Sequence, residues 1–256
     1  MYKILAIGNS FSEDATYYLH QILENSGIEN QVVNLYIGGC SLERHWQNIE
    51  QDKRDYEFQI NGRKTDRYVT VSEIVKETKW DAVVTQQASH DSGWLDTYEP
   101  FLGLIVDYLH ENVGDIPIYL HETWAYAKDS THDHFMRYHR DQKEMYDRLK
   151  TNYSQMAAKY RLSLIPSGDL IQNLRETTYF QEENGEFAIC RDGFHMNYLY
   201  GRYALACMWA GSICKVDLTK NTYVPVTDYM PLETARPEIL EQIKEKAMEL
   251  GRIYVS

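Results

Sequence analysis

Residues 3–12 read Lys-Ile-Leu-Ala-Ile-Gly-Asn-Ser-Phe-Ser, and no other stretch narrows the possible folds of this chain so far. Residues 3–7 form a short apolar run of the kind found in a strand covered on both faces of a parallel sheet. Gly8 ends the run. Residues 13–25 then carry helix formers, with Ala15, Leu19, Ile22 and Leu23 at helical spacing. The same unit of strand, polar turn and helix recurs along the chain. Strands are predicted over 31–37, 80–85, 116–120 and 162–165. Helices are predicted over 42–49, 71–78, 98–112, 135–160, 169–177, 198–212 and 237–250, with 222–236 irregular. Asn61-Gly62 between β-prone runs predicts a hairpin over 56–70, set apart from the main sheet.

Strands that alternate with helices need crossover connections, and these build a parallel sheet with helices on both faces. The expected fold is α/β: a three-layer α/β/α, flavodoxin-like domain spanning residues 1–256. Its sheet is expected to hold about five strands in the order 2-1-3-4-5. In such a sheet ligands bind beyond the carboxyl ends of the strands, beside the first strand. The polar residues at strand exits are therefore the candidates for chemistry.

Composition removes several functional classes. The formal net charge of −12 over 256 residues argues against nucleic acid and anionic membrane surfaces as partners. No apolar run reaches the length of a membrane span. The four cysteines, Cys40, Cys190, Cys207 and Cys214, show neither a C-x-x-C pair nor a zinc spacing. No metal or cofactor is expected. With 21 Tyr and 5 Trp, the chain could line a cleft with aromatic rings or simply carry a Tyr-rich core and surface. If Met1 is the natural start, the absence of a signal peptide predicts a cytoplasmic location.

Ser10 follows the first strand and opens the first helix. Backbone N–H groups at such a junction lack helical partners, which suits a nucleophile that must stabilise an oxyanion beside itself. A structural role fits as well: Ser10 and Glu13 match a capping box, and Ser12 alone could cap the helix. The complementary segment is Asp192-Gly193-Phe194-His195. Two residues between Asp and His let both side chains fall on one side of a turn. The carboxylate could then hold the imidazole Nδ1–H and leave Nε2 free to take a proton from a serine.

Gly8-Asn9-Ser10-Phe11 resembles the first block of the SGNH (GDSL-type) hydrolase superfamily, with Asn in place of the usual Asp. The D-x-x-H segment resembles the last block. Residues 40–46 (Cys-Ser-Leu-Glu-Arg-His-Trp) and 121–126 (His-Glu-Thr-Trp-Ala-Tyr) extend the likeness to a bacterial branch of that superfamily. The resemblance implies Ser10 as nucleophile, completed by Asp192 and His195. It implies an oxyanion hole of the Ser10 N–H, a backbone N–H at Gly39 and a third donor. The usual G-x-N-D block is absent, and Gln87-Ala88-Ser89-His90 stands in its place. A Gln amide donates as an Asn amide does, so Gln87 is the expected third donor, with Gln86 and His90 as alternatives. His45, Trp46, Trp124 and Tyr126 are the candidate substrate-binding residues; the first two equally fit a helix face, and the last two equally fit the core. His132, His134 and His139 read as a solvated loop.

The implied activity is hydrolysis of small acyl esters by a serine esterase, with acetyl groups on carbohydrate as the expected substrate. Two alternatives remain at this level. One is a flavodoxin-like protein that binds phosphate or flavin at the 8–12 turn. The other is a family member without activity that binds carbohydrate.

Overall fold

The computed structural model describes residues 1–227, 229 and 234–255. Its centre is strand β1 (Tyr2–Gly8), whose Ile4, Leu5, Ala6 and Ile7 are at most 1% exposed. Burying each of the larger aliphatic side chains contributes about 1.5–3 kcal/mol. β1 pairs in parallel with β2 (Asn30–Tyr36) on one side and with β5 (Ala82–Thr85) on the other. Beyond β5 lie β6 (Ile118–His121) and β7 (Ser163–Ile165), both parallel. This core has the expected 2-1-3-4-5 order.

The sheet nevertheless has seven strands rather than five, in the order β4-β3-β2-β1-β5-β6-β7. The two extra strands are the predicted hairpin, β3 (Tyr56–Ile60) and β4 (Tyr68–Val69). The hairpin is not set apart. β3 pairs antiparallel with β2 and continues the sheet. The open edge of β2 offers unpaired backbone groups, and a β-prone segment close in sequence is their nearest partner. Asn61 and Gly62 both hold positive φ, 51° and 75°, as a two-residue turn matched to strand twist requires.

Helices cover both faces. Between β1 and β2 run α1 (Ser10–Thr16) and α2 (Leu19–Asn25), two short helices where the sequence predicts one. After β2 comes α3 (Leu42–Glu50), and α4 (Val71–Glu77) leads into β5. Next are α5 (Phe101–Val113) and α6 (Gln142–Tyr160). The predicted 135–160 helix is interrupted. Residues Asp133–Tyr138 form a 3-10 turn, His139 and Arg140 take positive φ, and Asp141 caps a fresh helix. The chain ends in α7 (Ser167–Leu174), α8 (Tyr200–Cys214) and α9 (Pro237–Val255). Part of the predicted irregular segment, positions 228 and 230–233, lies outside the described residues. α8 is apolar around its whole circumference and packs among α1, α2, α7 and α9, so almost all of its side chains are buried. Among the described residues, no helix is long and apolar enough to cross a membrane.

The hairpin tip sits against Tyr17, at the C-terminal cap of α1. A Cβ on Gly62 would lie 2.2 Å from the Tyr17 carbonyl oxygen, and its φ of 75° already disfavours any side chain. Gly62→Ala is expected to lower stability by about 1–3 kcal/mol or more, read as a lower midpoint in urea denaturation.

Candidate active site

The cap of α1 decides what Ser10 is free to do. Asn9, not Ser10 or Ser12, is the cap: its side chain accepts from the Phe11 N–H at 3.0 Å. Ser12 is buried, and its hydroxyl lies 2.8 Å from both the Asn9 carbonyl and Asn34 Oδ1. The structural roles that compete for Ser10 are thus filled by its neighbours. Ser10 itself stays partly exposed, and its Oγ lies 2.8 Å from Nε2 of His195.

His195 comes from the opposite end of the chain. Its Nδ1 lies 2.7 Å from Asp192 Oδ2, and the other carboxylate oxygen accepts the backbone N–H groups of Phe194 and His195. Burial alone would raise the Asp192 carboxyl, but the hydrogen bonds from His195 and Phe194 outweigh it and hold the group below its usual range. Asp192 therefore stays ionised at neutral pH and keeps the imidazole proton on Nδ1. The three groups form one continuous hydrogen-bonded line from carboxylate to hydroxyl.

A buried ion cluster brings the two chain ends together. Asp14 on α1 is fully buried. It accepts from Arg191 at 3.0 and 3.1 Å, from Arg202 Nε at 2.8 Å and from the Met196 N–H at 2.9 Å. Arg191 also donates to the Met196 carbonyl. Arg191 and Met196 flank Asp192 and His195 in sequence, so one carboxylate on the helix that carries Ser10 grips both ends of the segment that carries the other two groups. Trp124 adds a second tie. It stacks on Phe11 with centroids 4.1 Å apart and donates to the Phe194 carbonyl at 2.7 Å.

The Ser10 hydroxyl opens on a cavity of about 290 Å³ lined by Gly38, Gly39, Glu13, Tyr36, Arg191, His90 and His132 among others. Gly39 sits at φ 60° in a four-residue turn closed by Cys40 N–H to Ile37 O at 3.3 Å. Two larger hollows, of about 510 and 560 Å³, lie along the segment that carries Asp192, and both share Arg191 and Asp192 as lining.

Several expected residues are elsewhere. Gln87 is fully buried. Its amide nitrogen donates to the Thr97 carbonyl and hydroxyl at 2.8 and 3.1 Å, and its oxygen accepts from Leu42 and Ala88. Both amide hydrogens are committed to Thr97, which corrects the expectation that Gln87 serves as third oxyanion donor. Gln86 lies behind Asn9, bonded to it at 2.7 Å. Of the three candidates only His90 lines the cavity. The four expected substrate contacts are corrected as well. His45 is fully buried against Tyr56, and Trp46 packs on the core. Trp124 and Tyr126 are fully buried beneath the site. Trp124 and Tyr126 can sit in the core because their polar atoms find internal partners, the Phe194 carbonyl and the Ser89 hydroxyl.

Family models and solved structures place the chain. A model described as a domain of unknown function, DUF4886, matches residues 3–248. The chain belongs to the DUF4886 family. A solved DUF4886 family protein from Bacteroides uniformis is 36% identical, with 97% of this chain and 93% of that one covered and a TM-score of 0.87. A Slackia heliotrinireducens protein provisionally classed as an SGNH hydrolase is 19% identical, with 82% and 98% covered and a TM-score of 0.59. Axe2, an acetylxylan esterase from Geobacillus stearothermophilus, is 15% identical, with 89% and 97% covered and a TM-score of 0.52. No curated protein sequence matches. This DUF4886 chain has the SGNH hydrolase fold, as its end blocks suggest.

Sequence reading missed Glu13, Tyr36, Arg191, Phe194 and His132 as cavity lining. Tyr36 closes the strand beside β1, and Arg191 and Phe194 belong to the D-x-x-H segment, so their positions carried a signal. His132 carried none. It reaches the cavity because its ring packs on Phe194 with centroids 4.8 Å apart, and it is not part of a merely solvated loop. His134 lies close by, 4.5 Å from the His90 ring, whereas His139 pairs with Glu144 at 2.9 Å. Burial, partly offset by Asp91, lowers the His90 pKa; burial and then the neighbouring His134 lower that of His132. Among the described residues, no three His, Cys, Asp or Glu side chains are disposed to hold a metal ion.

Removing Asp14 strands two arginines, one of them only 3% exposed. Asp14→Ala is expected to lower stability by about 3–5 kcal/mol, measured by chemical denaturation.

Proposed function

We propose that this protein is a serine esterase acting on small acyl esters of polar, hydroxylated alcohols, with acetylated carbohydrate as the favoured substrate class. The observation that carries this reading is the line Asp192–His195–Ser10, with contacts of 2.7 and 2.8 Å, ending at an open cavity. In this reading Ser10 Oγ attacks the ester carbonyl while His195 Nε2 takes its proton. The imidazolium, stabilised by Asp192, returns the proton to the leaving alcohol. The N–H groups of Ser10 and Gly39 would receive the oxyanion, and His90 is the candidate for a third donor. Water activated by His195 then releases the acid and restores Ser10.

The substrate class rests on the cavity and on analogy. A cavity of about 290 Å³ suits a short acyl group. Its charged and polar wall, with Arg191, Glu13 and Tyr36, favours a hydroxylated alcohol over a long alkyl chain. The acetylxylan esterase Axe2 shares the fold, which supports the sugar ester by analogy. Glu13 in the wall of the Ser10 cavity would repel a phosphate, so the phosphate- or flavin-binding alternative has less behind it.

The test is hydrolysis of p-nitrophenyl acetate, and then of acetylated oligosaccharides, by the wild type and Ser10→Ala. The wild type is expected to turn over, with the variant slower by at least about 10³-fold in kcat. Equal rates in the two proteins would overturn the esterase reading.

A further inference from the structure

Behind the catalytic line lies a second, fully buried line of polar side chains that the esterase chemistry does not itself use. It runs from His121 at the end of β6, through Gln86 at the end of β5 and Asn9 at the end of β1, to the Cys40 carbonyl in the turn after β2. The contacts are 2.7 Å from His121 Nδ1 to Gln86 Oε1, 2.7 Å from Gln86 Nε2 to Asn9 Oδ1, and 3.1 Å from Asn9 Nδ2 to the Cys40 carbonyl. His121, Gln86 and Asn9 are 0%, 1% and 2% exposed.

The direction of every bond is dictated by two backbone groups. The Phe11 N–H can only donate, so the atom of Asn9 that meets it must be the oxygen. The Cys40 carbonyl can only accept, so Asn9 must turn its nitrogen there. Gln86 then has to offer its own nitrogen to Asn9 Oδ1, which turns its oxygen to His121. His121 must therefore carry its proton on Nδ1. The wholly buried ring is neutral, since burial lowers its pKa to about 3.

We propose that Asn9, Gln86 and His121 are positioning residues that set the two backbone donors of the oxyanion hole relative to each other, and that position 9 is asparagine because its side chain must both accept and donate. This rests on the esterase reading above. Asn9 holds the first turn of α1, and so the Ser10 N–H, through the Phe11 N–H. With its other end it holds Cys40, which closes the turn presenting Gly39. One rigid amide thus spans the gap between the two donors. Gln86 and His121 stop that amide from flipping or sliding. An aspartate at position 9 keeps the size and both acceptor bonds, but it brings a carboxylate oxygen against the Cys40 carbonyl oxygen.

The experiment compares wild type, Asn9→Asp and His121→Phe with p-nitrophenyl acetate. It is read as kcat and KM per folded molecule, with thermal melting and near-UV circular dichroism as folding controls. Asn9→Asp is expected to lower kcat by roughly 10²-fold, the scale of a misplacement of about 1 Å, with KM nearly unchanged. The gap to wild type should narrow as pH falls, because a protonated aspartate regains a donor for the Cys40 carbonyl. His121→Phe lies two bonds further from the cavity. It should give a smaller loss in kcat, again at constant KM, and it carries the test if Asn9→Asp does not fold. Wild-type kcat in both folded variants would overturn the proposal, as would losses that track melting temperature alone. An inactive wild type would instead remove the esterase reading, so the two failures are distinguishable.

Discussion

The site depends on one buried carboxylate. Asp14 lies inside the protein with two arginines and a backbone N–H around it. A lone charge there would be prohibitive, and a pair must be well bonded to persist. Its partners come from the segment ahead of α8 and from α8 itself, so satisfying this charge determines where the last part of the chain meets α1. A cluster that replaced it with apolar side chains could be as stable, but it would not set the direction from which His195 approaches Ser10. The cation–π contacts of Arg202 with Tyr17 and Tyr198, at 4.2 and 5.0 Å, place the same guanidinium further.

Polar groups around Ser10 are arranged in two layers. The outer layer is partly exposed: Ser10, His195 and Asp192. The inner layer is buried, and every member is constrained: Asn9, Ser12, Gln86, His121 and Asn34. Helix capping belongs to the inner layer, which leaves the Ser10 hydroxyl to the outer one. The buried Ser12 hydroxyl and Asn34, which in turn donates to Gln59 at 2.8 Å, extend the inner layer from α1 across β2 to β3. The hairpin is thereby part of the support of the site as well as an extension of the sheet.

Legibility from sequence followed the range of the interactions involved. The run at Ile4–Leu5–Ala6–Ile7 marked the central strand, because burial on both faces leaves a continuous apolar signature. The Asp192–His195 contact was legible because it spans three residues. The contact of His195 with Ser10 spans most of the chain, and it came from likeness to known blocks rather than from spacing. Gln87 shows the limit. Its amide is chemically suited to an oxyanion, and only the position of Thr97 reveals that both hydrogens are already engaged. Trp124 and Tyr126 looked like a platform for substrate, but burial, which no single residue type encodes, put them under the floor.

The order of strands and helices by itself determined an α/β sheet, its central strand and the rim on which polar residues would gather, since periodicity and turn chemistry act over a few residues. Tertiary structure alone decided that the hairpin joins the sheet, that Asn9 takes the cap and leaves Ser10 free, and that Arg191, Glu13 and Tyr36 wall the cavity. Those outcomes turn on which of several chemically equivalent polar groups finds a partner first. Such competition is settled between segments far apart in the chain, by the geometry of their packing.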